Sequence, residues 1–367
     1  MKLLYLFKNG RRVRLAEHSD SPSEFFYGAP ELQQSGVEVK FLEETDFGLG
    51  RRANVGWEAL SRLTQLLFGV HAYSAYRFHR GKNEYEFGDA IVSVNNAYGV
   101  ALSCLRYLSL CRAHVVFIAM GLLPPRVTLL KKWFYNLILS RSLIATISRS
   151  EQEQLSRLLP ACQVHYIPFG VDKTFWCPGE PPKVTEHYIL SVGNDPHRDY
   201  ACLMDAWQSE LPMLRIITRL DVSVGTHENV EVVSGDWRSQ LLTDQELREI
   251  VRGSLFVVLP IRETMQPSGQ SACLQAMACG KAVVLSDTSG IWDRTIMKDG
   301  ENCLLVQPGN PQALRNAVQR LIDEPELARS IGQQARVTVE NHFNTDAMAE
   351  ALRQLLSEQL NNEGAAA

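Results

Sequence analysis

Twelve short β-branched runs alternate with amphipathic stretches along this chain, and that rhythm constrains its fold more than any single motif. Strands covered on both faces read as near-continuous apolar runs, and strand–helix alternation makes parallel sheets with crossover helices. The first six runs are KLLYLF, VEVKFL, AIVSV, HVVFIA, SLIATI and QVHYIP; the second six are HYILSVG, LRIITR, VEVVSG, LFVVLP, AVVLSD and NCLLV. Between the two sets, PGEPPKVTE at 178–186 breaks the rhythm with three prolines and mixed charge, as a linker does. A chain of 367 residues exceeds what one core usually fills, so two α/β units are expected. We read 1–177 as one Rossmann-like unit, 184–343 as a second, a helix at 346–360 packing back on the first, and 361–367 as a disordered tail. In the second unit Thr243 and Glu246 form a capping box ahead of Leu247, Ile250 and Val251, and the last helix carries Met348, Leu352, Leu355 and Leu356 on one stripe.

The net charge of −4 conceals an asymmetry. Up to Asp172 the chain has 20 Lys/Arg against 15 Asp/Glu; beyond it, 17 against 26. From Val92 to Ser150 there are seven basic residues and no acidic one, which points to an anionic partner for the first half. The eight cysteines lack zinc or redox spacing and suit a cytoplasmic setting. The opening MKLLYLFKNGRRVRL brings in charge too early for a signal peptide, and HVVFIAMGLLPP is too short to span a bilayer. Gly48-x-Gly50-x-x-Ala53 matches a dinucleotide fingerprint by letter, but no acid follows at the spacing that holds a ribose, so a loop before a helix is expected. Neither a phosphate-binding lysine loop nor a His/Cys/Asp cluster is present, and neither cofactor nor metal is expected.

Chemistry concentrates in two loops. After LFVVLP, the segment IRETMQPSGQSA leads into the helix CLQAMACGKA, so Ser268, Gly269, Gln270 and Ser271 stand where helix amides lack intrahelical partners. With the dipole, such a start suits a phosphate, and Gly269 lets one come close to the backbone. The second loop, VGNDPHRD, places Gly193 at a turn and Arg198 as a fixed cation before a helix. In a doubly wound sheet both loops face one crevice at the carboxyl ends of the strands. His197 is read equally as a solvated loop residue and as a phosphate donor, and a surface ion pair is the structural alternative for Arg198.

These segments carry a resemblance. PFGVD at 168–172, LQAMACGKAVVLSD at 274–287 and DGENCLLVQPGNPQAL at 299–314 resemble, in order, segments of the family-4 retaining glycosyltransferases. The resemblance implies a GT-B fold, two Rossmann-like doubly wound domains facing across a cleft, with the donor nucleotide sugar on the second. It also implies metal-independent transfer of a hexose-type sugar, from a UDP or GDP carrier, to a glycan, glycolipid or small-molecule hydroxyl. Carried onto this sequence, it makes Arg198 and Glu263 catalytic. Donor contacts fall to Gly193, Asn194, His197, Arg219, Arg262, Gln266, Ser268, Gly269, Gln270, Ser271 and Gln275. Gln275 replaces the glutamate that grips the ribose in the family, and Glu263 and Gln266 compete for the place of its first glutamate. Asn194 stands where the family has an arginine, so Arg198 is expected to supply the phosphate charge.

Acceptor contacts are expected from loops after the first-half strands: Lys8 to Arg12 with Asn9 and Gly10, Asn95 and Asn96, Met120 and Gly121. The histidine the family often has there is missing. The stretch 126–141, with Arg126, Lys131, Lys132, Arg141, Trp133, Phe134 and Tyr135, reads equally as a helix for an anionic membrane surface and as a core helix with one wet face. A nucleotide-sugar epimerase and a non-catalytic sugar-nucleotide-binding homologue remain the alternative functions. No nucleic-acid partner is expected.

Overall fold

The computed structural model describes residues 1–16, 21–49, 55–86, 88–124, 126–179, 187–235 and 242–364, the last four of these as backbone only. Most of the proline-rich linker, residues 50–54 of the glycine-rich segment at 48–56, Leu241 and residues 365–367 lie outside the described residues.

Contacts divide the chain into two units. One holds Met1–His18, Phe25–Pro168 and Met348–Ala367; the other holds Ser19–Glu24 and Phe169–Ala347. In the first unit, β1 (Lys2–Phe7), β2 (Glu38–Glu43), β3 (Ala90–Ser93), β4 (His114–Ala119), β5 (Leu143–Thr146) and β6 (Gln163–Tyr166) form a six-stranded sheet in the order β2-β1-β3-β4-β5-β6. In the second, β7 (Tyr188–Val192), β8 (Met213–Thr218), β9 (Val230–Ser234), β10 (Val257–Leu259), β11 (Val283–Ser286) and β12 (Leu304–Val306) take the order β12-β11-β10-β7-β8-β9. Every pairing is parallel. All twelve apolar runs of the sequence become these strands.

Burial explains why. β3, β5, β7, β10 and β11 are buried at every position, so helices cover both faces and no alternation of polar residues survives. Outer strands relax this rule: β9 has no buried position. Strand order reverses between β1 and β3 in one unit and between β7 and β10 in the other, and ligands of such sheets sit outside the carboxyl ends at that switch.

Local signals behave as their chemistry dictates. The Thr243–Glu246 capping box opens the helix Asp244–Gly253, with Leu247 and Val251 buried. The last helix runs Thr345–Gly364, so 361–364 is helical backbone where a disordered tail was expected. Its stripe of Met348, Leu352, Leu355 and Leu356 is buried, and Ala349 lies within 3.0 Å of where a Cβ on Gly28 would stand. In PFGVD, the Asp172 carboxylate accepts from the backbone N–H groups of Ser23, Thr174 and Phe175 and from the Thr174 hydroxyl. Burial pushes that carboxyl up, but these bonds outweigh it and hold it below its ordinary value. Gly170 is required because a Cβ would fall 2.1 Å from the Asn344 carbonyl oxygen.

Candidate active site

The loops after β7 and β10 are stitched together by backbone. Arg262 N–H donates to His197 O at 2.8 Å and Asp199 N–H to Pro260 O at 3.0 Å, an antiparallel bridge between Arg198 and Ile261. The bridge delivers the Arg198 side chain into the switch-point corner, where it is only 4% exposed. Its guanidinium lies between two glycines. A Cβ on Gly193 would fall 2.2 Å from its Nε and Nη2, and one on Gly269 would fall 3.0 Å from its Nη1. Both glycines also hold positive φ, 148° and 76°, where other residues are strained. Each is needed twice, for its backbone angle and for the space its missing side chain leaves.

Asp195 Oδ2 stands 3.0 Å from Arg198 Nε, close enough for an ion pair though out of line for a hydrogen bond. Arg198 Nη1 is buried and has no hydrogen-bond acceptor. A buried cationic donor left open costs several kcal/mol by order of magnitude unless a partner arrives. The natural partner is an anion of the kind that helix starts bind, and the helix Gln270–Ala278 begins at Gly269, its N-cap.

Around this corner several framework groups are bonded to one another. Gly193 O accepts from the Tyr200 hydroxyl at 2.9 Å and from Thr218 Oγ1 at 2.7 Å. Asn194 donates through Nδ2 to Gly235 O and accepts at Oδ1 from Arg219 N–H, tying the ends of β7, β8 and β9. Asn194 is therefore a brace. His197 is half-buried and its N–H donates to Asp195 Oδ1. Arg262, on the exposed rim, faces Asp199 at 3.7 Å. Arg219 is exposed at the end of β8.

Glu263 and Gln266 are both exposed on the loop after β10. Glu263 Oε1 accepts from Ser289 N–H at 2.9 Å. The Gln266 carbonyl accepts from Ser268 N–H at 2.7 Å and passes so near Gly290 that a Cβ there would lie 2.1 Å away. Ser268 and Ser271 are half-buried at the helix start, and Gln270 is buried with its N–H on Pro267 O.

Gln275 is engaged inside the second unit. It is buried, and its Nε2 donates to Glu24 Oε1 at 2.9 Å. The same oxygen accepts from Trp176 Nε1 at 2.7 Å, and Oε2 accepts from Asp172 N–H at 3.1 Å. Burial raises the Glu24 carboxyl to about 7, against the pull of these three donors. Glu24, Trp176 and Asp195 had no part in the sequence reading. Glu24 precedes Gln275 by 251 residues, and no local pattern marks it.

In the other unit, the candidate acceptor residues occupy the carboxyl-end loops as expected, but most are engaged. Asn95 caps the helix Asn96–Tyr107, its Oδ1 accepting from Ala97 and Tyr98 N–H. Asn96 pairs reciprocally with the Met120 backbone, donating at 2.9 Å and accepting at 3.2 Å. Asn9 Oδ1 accepts from Thr45 N–H, while Gly10 and Gly121 have φ of 94° and 66°. Lys8 is exposed. Among the described residues no three His, Cys, Asp or Glu side chains converge as metal ligands, and no helix is long and apolar enough to cross a membrane.

Comparison with known proteins follows the same division. Residues 189–324 match the family model described as Glycosyl transferases group 1. The alpha-maltose-1-phosphate synthase of Mycobacterium tuberculosis is 26% identical over an alignment that takes 58% of this chain and 62% of that protein. The MMP alpha-(1->4)-mannosyltransferase of Mycolicibacterium hassiacum is 24% identical, over 51% of this chain and 46% of its own. The chain thus spans about half to three-fifths of the length of these curated relatives. Among solved structures, sucrose-phosphate synthase from Thermosynechococcus elongatus superposes with a TM-score of 0.72 at 18% identity, over 99% of this chain and 100% of that one. HepE of Anabaena, solved with UDP and glucose, gives a TM-score of 0.66 at 16% identity, over 97% and 99%. The fold is that of the GT-B glycosyltransferases.

Proposed function

We propose, from the match of residues 189–324 to the group 1 glycosyltransferase model, that this chain moves a hexose-type sugar from a nucleoside-diphosphate sugar to a hydroxyl group, with retention of anomeric configuration. One observation carries the reading: a guanidinium almost fully buried between two turn glycines, with Nη1 still lacking an acceptor, beside the start of a helix. When the glycosidic bond to the diphosphate breaks, negative charge develops on the departing oxygens. Arg198 and the amides of Gly269 and Ser271 stand fixed to receive it, those of Ser268 and Gln270 already donating to the Gln266 and Pro267 carbonyls, so little reorganisation is needed as charge develops. These groups neutralise the leaving group without a metal ion. Glu263 or Gln266 orients the sugar hydroxyls, and the departing phosphate oxygen takes the proton of the attacking hydroxyl. Arg262 and Arg219 hold the outer phosphate and ribose edge, with His197 beside them.

The UDP bound by HepE supports a uridine carrier, with a guanosine carrier as the competitor. The acceptor is a glycan, glycolipid or small molecule, met by the loops at Asn9–Gly10, Asn95–Asn96 and Met120–Gly121. A membrane surface fits the exterior of that unit. The helix Leu129–Ile138 exposes Leu129, 83% accessible, with Leu130 and Trp133. The helix Val55–Phe68 adds Leu60, Leu63, Leu66 and Leu67, and Phe68 meets Phe134 at 4.9 Å between ring centres. Lys131, Lys132 and Arg126 supply charge for anionic headgroups at the cytoplasmic face.

The test is product analysis. Purified protein is incubated with UDP- and GDP-hexoses in chelator, with and without acceptors, and the anomeric configuration is read by NMR. Release of nucleoside diphosphate with a retained linkage is the expected outcome. An inverted product removes the retaining mechanism, donor isomerisation without transfer favours an epimerase, and tight binding without turnover favours a non-catalytic homologue. Cosedimentation with anionic vesicles, lost in high salt, is expected for the surface; binding that ignores lipid charge overturns it.

A further inference from the structure

A second cationic site lies at the opposite ends of the strands from the acceptor loops. A cleft of about 710 Å³ in the first unit is lined by Arg106, Arg112, Arg141, Ser142 and Gln163, among others, and none of its lining residues is acidic. Topology places it. Arg112 sits just before β4, Ser142 immediately before β5, and Gln163 opens β6. Neighbouring strands are parallel, so these are the amino ends of one sheet edge. The loop Met120–Gly121 follows β4 at its other end, a strand length of about 20 Å away.

Arg106 and Arg141 each have a backbone carbonyl partner. Arg106 Nη1 donates to the Arg112 carbonyl; Arg141 Nη1 donates to Tyr107 O at 3.4 Å, with its guanidinium 5.4 Å from the Tyr107 ring centre. Carbonyls orient a guanidinium without cancelling its charge, and the Glu86 carboxylate, which acts on Cys111 at the rim, does not line the cleft. An independent observation points the same way. Ser142 is 5% exposed, and its Oγ has no hydrogen-bond partner. A buried hydroxyl in that state is destabilising, a cost that a bound acceptor removes. Planar guanidiniums with a hydroxyl donor match phosphate oxygens in particular.

We propose that this cleft binds a phosphate-bearing anion, held by Arg106, Arg112 and Arg141 with the Ser142 hydroxyl donating, at a site separate from the sugar-transfer site. The amino ends of the strands carry none of the transfer machinery, so the anion acts as an effector or anchor. Two sources share the chemistry, a free phosphorylated metabolite and a phospholipid headgroup.

Inorganic pyrophosphate is the probe, titrated calorimetrically into the full chain carrying Arg198→Ala so that the corner near Gly269 does not compete. Binding is expected to persist in that variant and to weaken by about tenfold or more when Arg112→Ala and Arg141→Ala are added, the loss of one or two charge-assisted bonds. Ser142→Ala is expected to weaken it a few-fold while leaving the melting temperature unchanged or higher, since a hydroxyl without a partner contributes nothing to folding. In a parallel arm, phosphatidylglycerol vesicles replace pyrophosphate. Arginine-dependent binding of the free anion identifies a metabolite site, and arginine-dependent binding of vesicles alone identifies a headgroup site. Absence of both, or binding indifferent to the arginine substitutions in folded protein, overturns the proposal.

Discussion

The carboxyl-end loops of the two units differ in how much of their polar chemistry the fold consumes. In the first unit, Asn95 caps a helix and Asn96 completes a two-way pair with Met120. Their side chains close the framework. In the second unit, Asn194 plays that closing part, while Arg198 is buried beside two glycines with a donor still open. A polar residue at a sheet's carboxyl end is therefore a poor marker of chemistry by itself. What distinguishes the second unit is an incompletely satisfied charge held in a space kept clear by glycine.

Four substitutions probe that contrast, beginning with the largest effect. Arg198→Ala is expected to lower kcat by about a hundredfold to a thousandfold, the scale seen when a fixed donor to developing charge is removed. Its melting temperature should change little, because a buried donor without an acceptor is removed together with the ion pair to Asp195; near-normal turnover would dissolve the contrast. Gly193→Ala comes next. Its Cβ would drive into the guanidinium from a φ of 148°, so a stability loss of about 1–3 kcal/mol in denaturant melts is expected, together with weakened nucleotide binding.

The third concerns Glu24, whose carboxyl is raised by burial to about 7 from an ordinary value of 4.5. Between these values the folded protein holds a proton that the unfolded chain releases. Stability from this group is then fully present below pH about 4.5 and falls as pH rises through about 7, by a few kcal/mol at most. Glu24→Gln should flatten that part of the stability–pH curve measured by urea unfolding at fixed pH steps. An unchanged slope would mean that Glu24 titrates normally. The smallest effects belong to the first unit: Asn95→Ala is expected to cost about 1 kcal/mol as a lost helix cap, with turnover within a few-fold of the parent. If Asn95→Ala instead abolished transfer in a folded protein, the acceptor loops would be as chemical as the donor corner.

Much of the second unit was legible before the structure. Gly193, Arg198 and Gly269 could be picked out because each answers a local demand, a turn at a strand end or a helix start, and because the segments around 274–287 and 299–314 resemble a known family. The replacement of a glutamate by Gln275 was visible too. Its consequence was not, since the carboxylate its amide contacts arrives from Glu24, in a segment that belongs with the second unit although it lies near the start of the chain. The same limit hid the engagement of Asn96 with Met120, whereas the Asn95 cap is a local bond to Ala97 and Tyr98. A hydrogen-bond partner brought from a distant strand end leaves no periodic trace.

The sequence by itself determined two parallel sheets and the places where their strands end, because the apolar pattern of a doubly covered strand is a local property repeated at each run. Only the tertiary structure decided which polar groups at those ends are spent on bracing and which stay open. Satisfaction of a buried donor depends on what every other segment brings within about 3 Å of it. Arg198 Nη1 is open and Gln275 is engaged for that reason, although both stand on motifs a reader of the sequence would rank together.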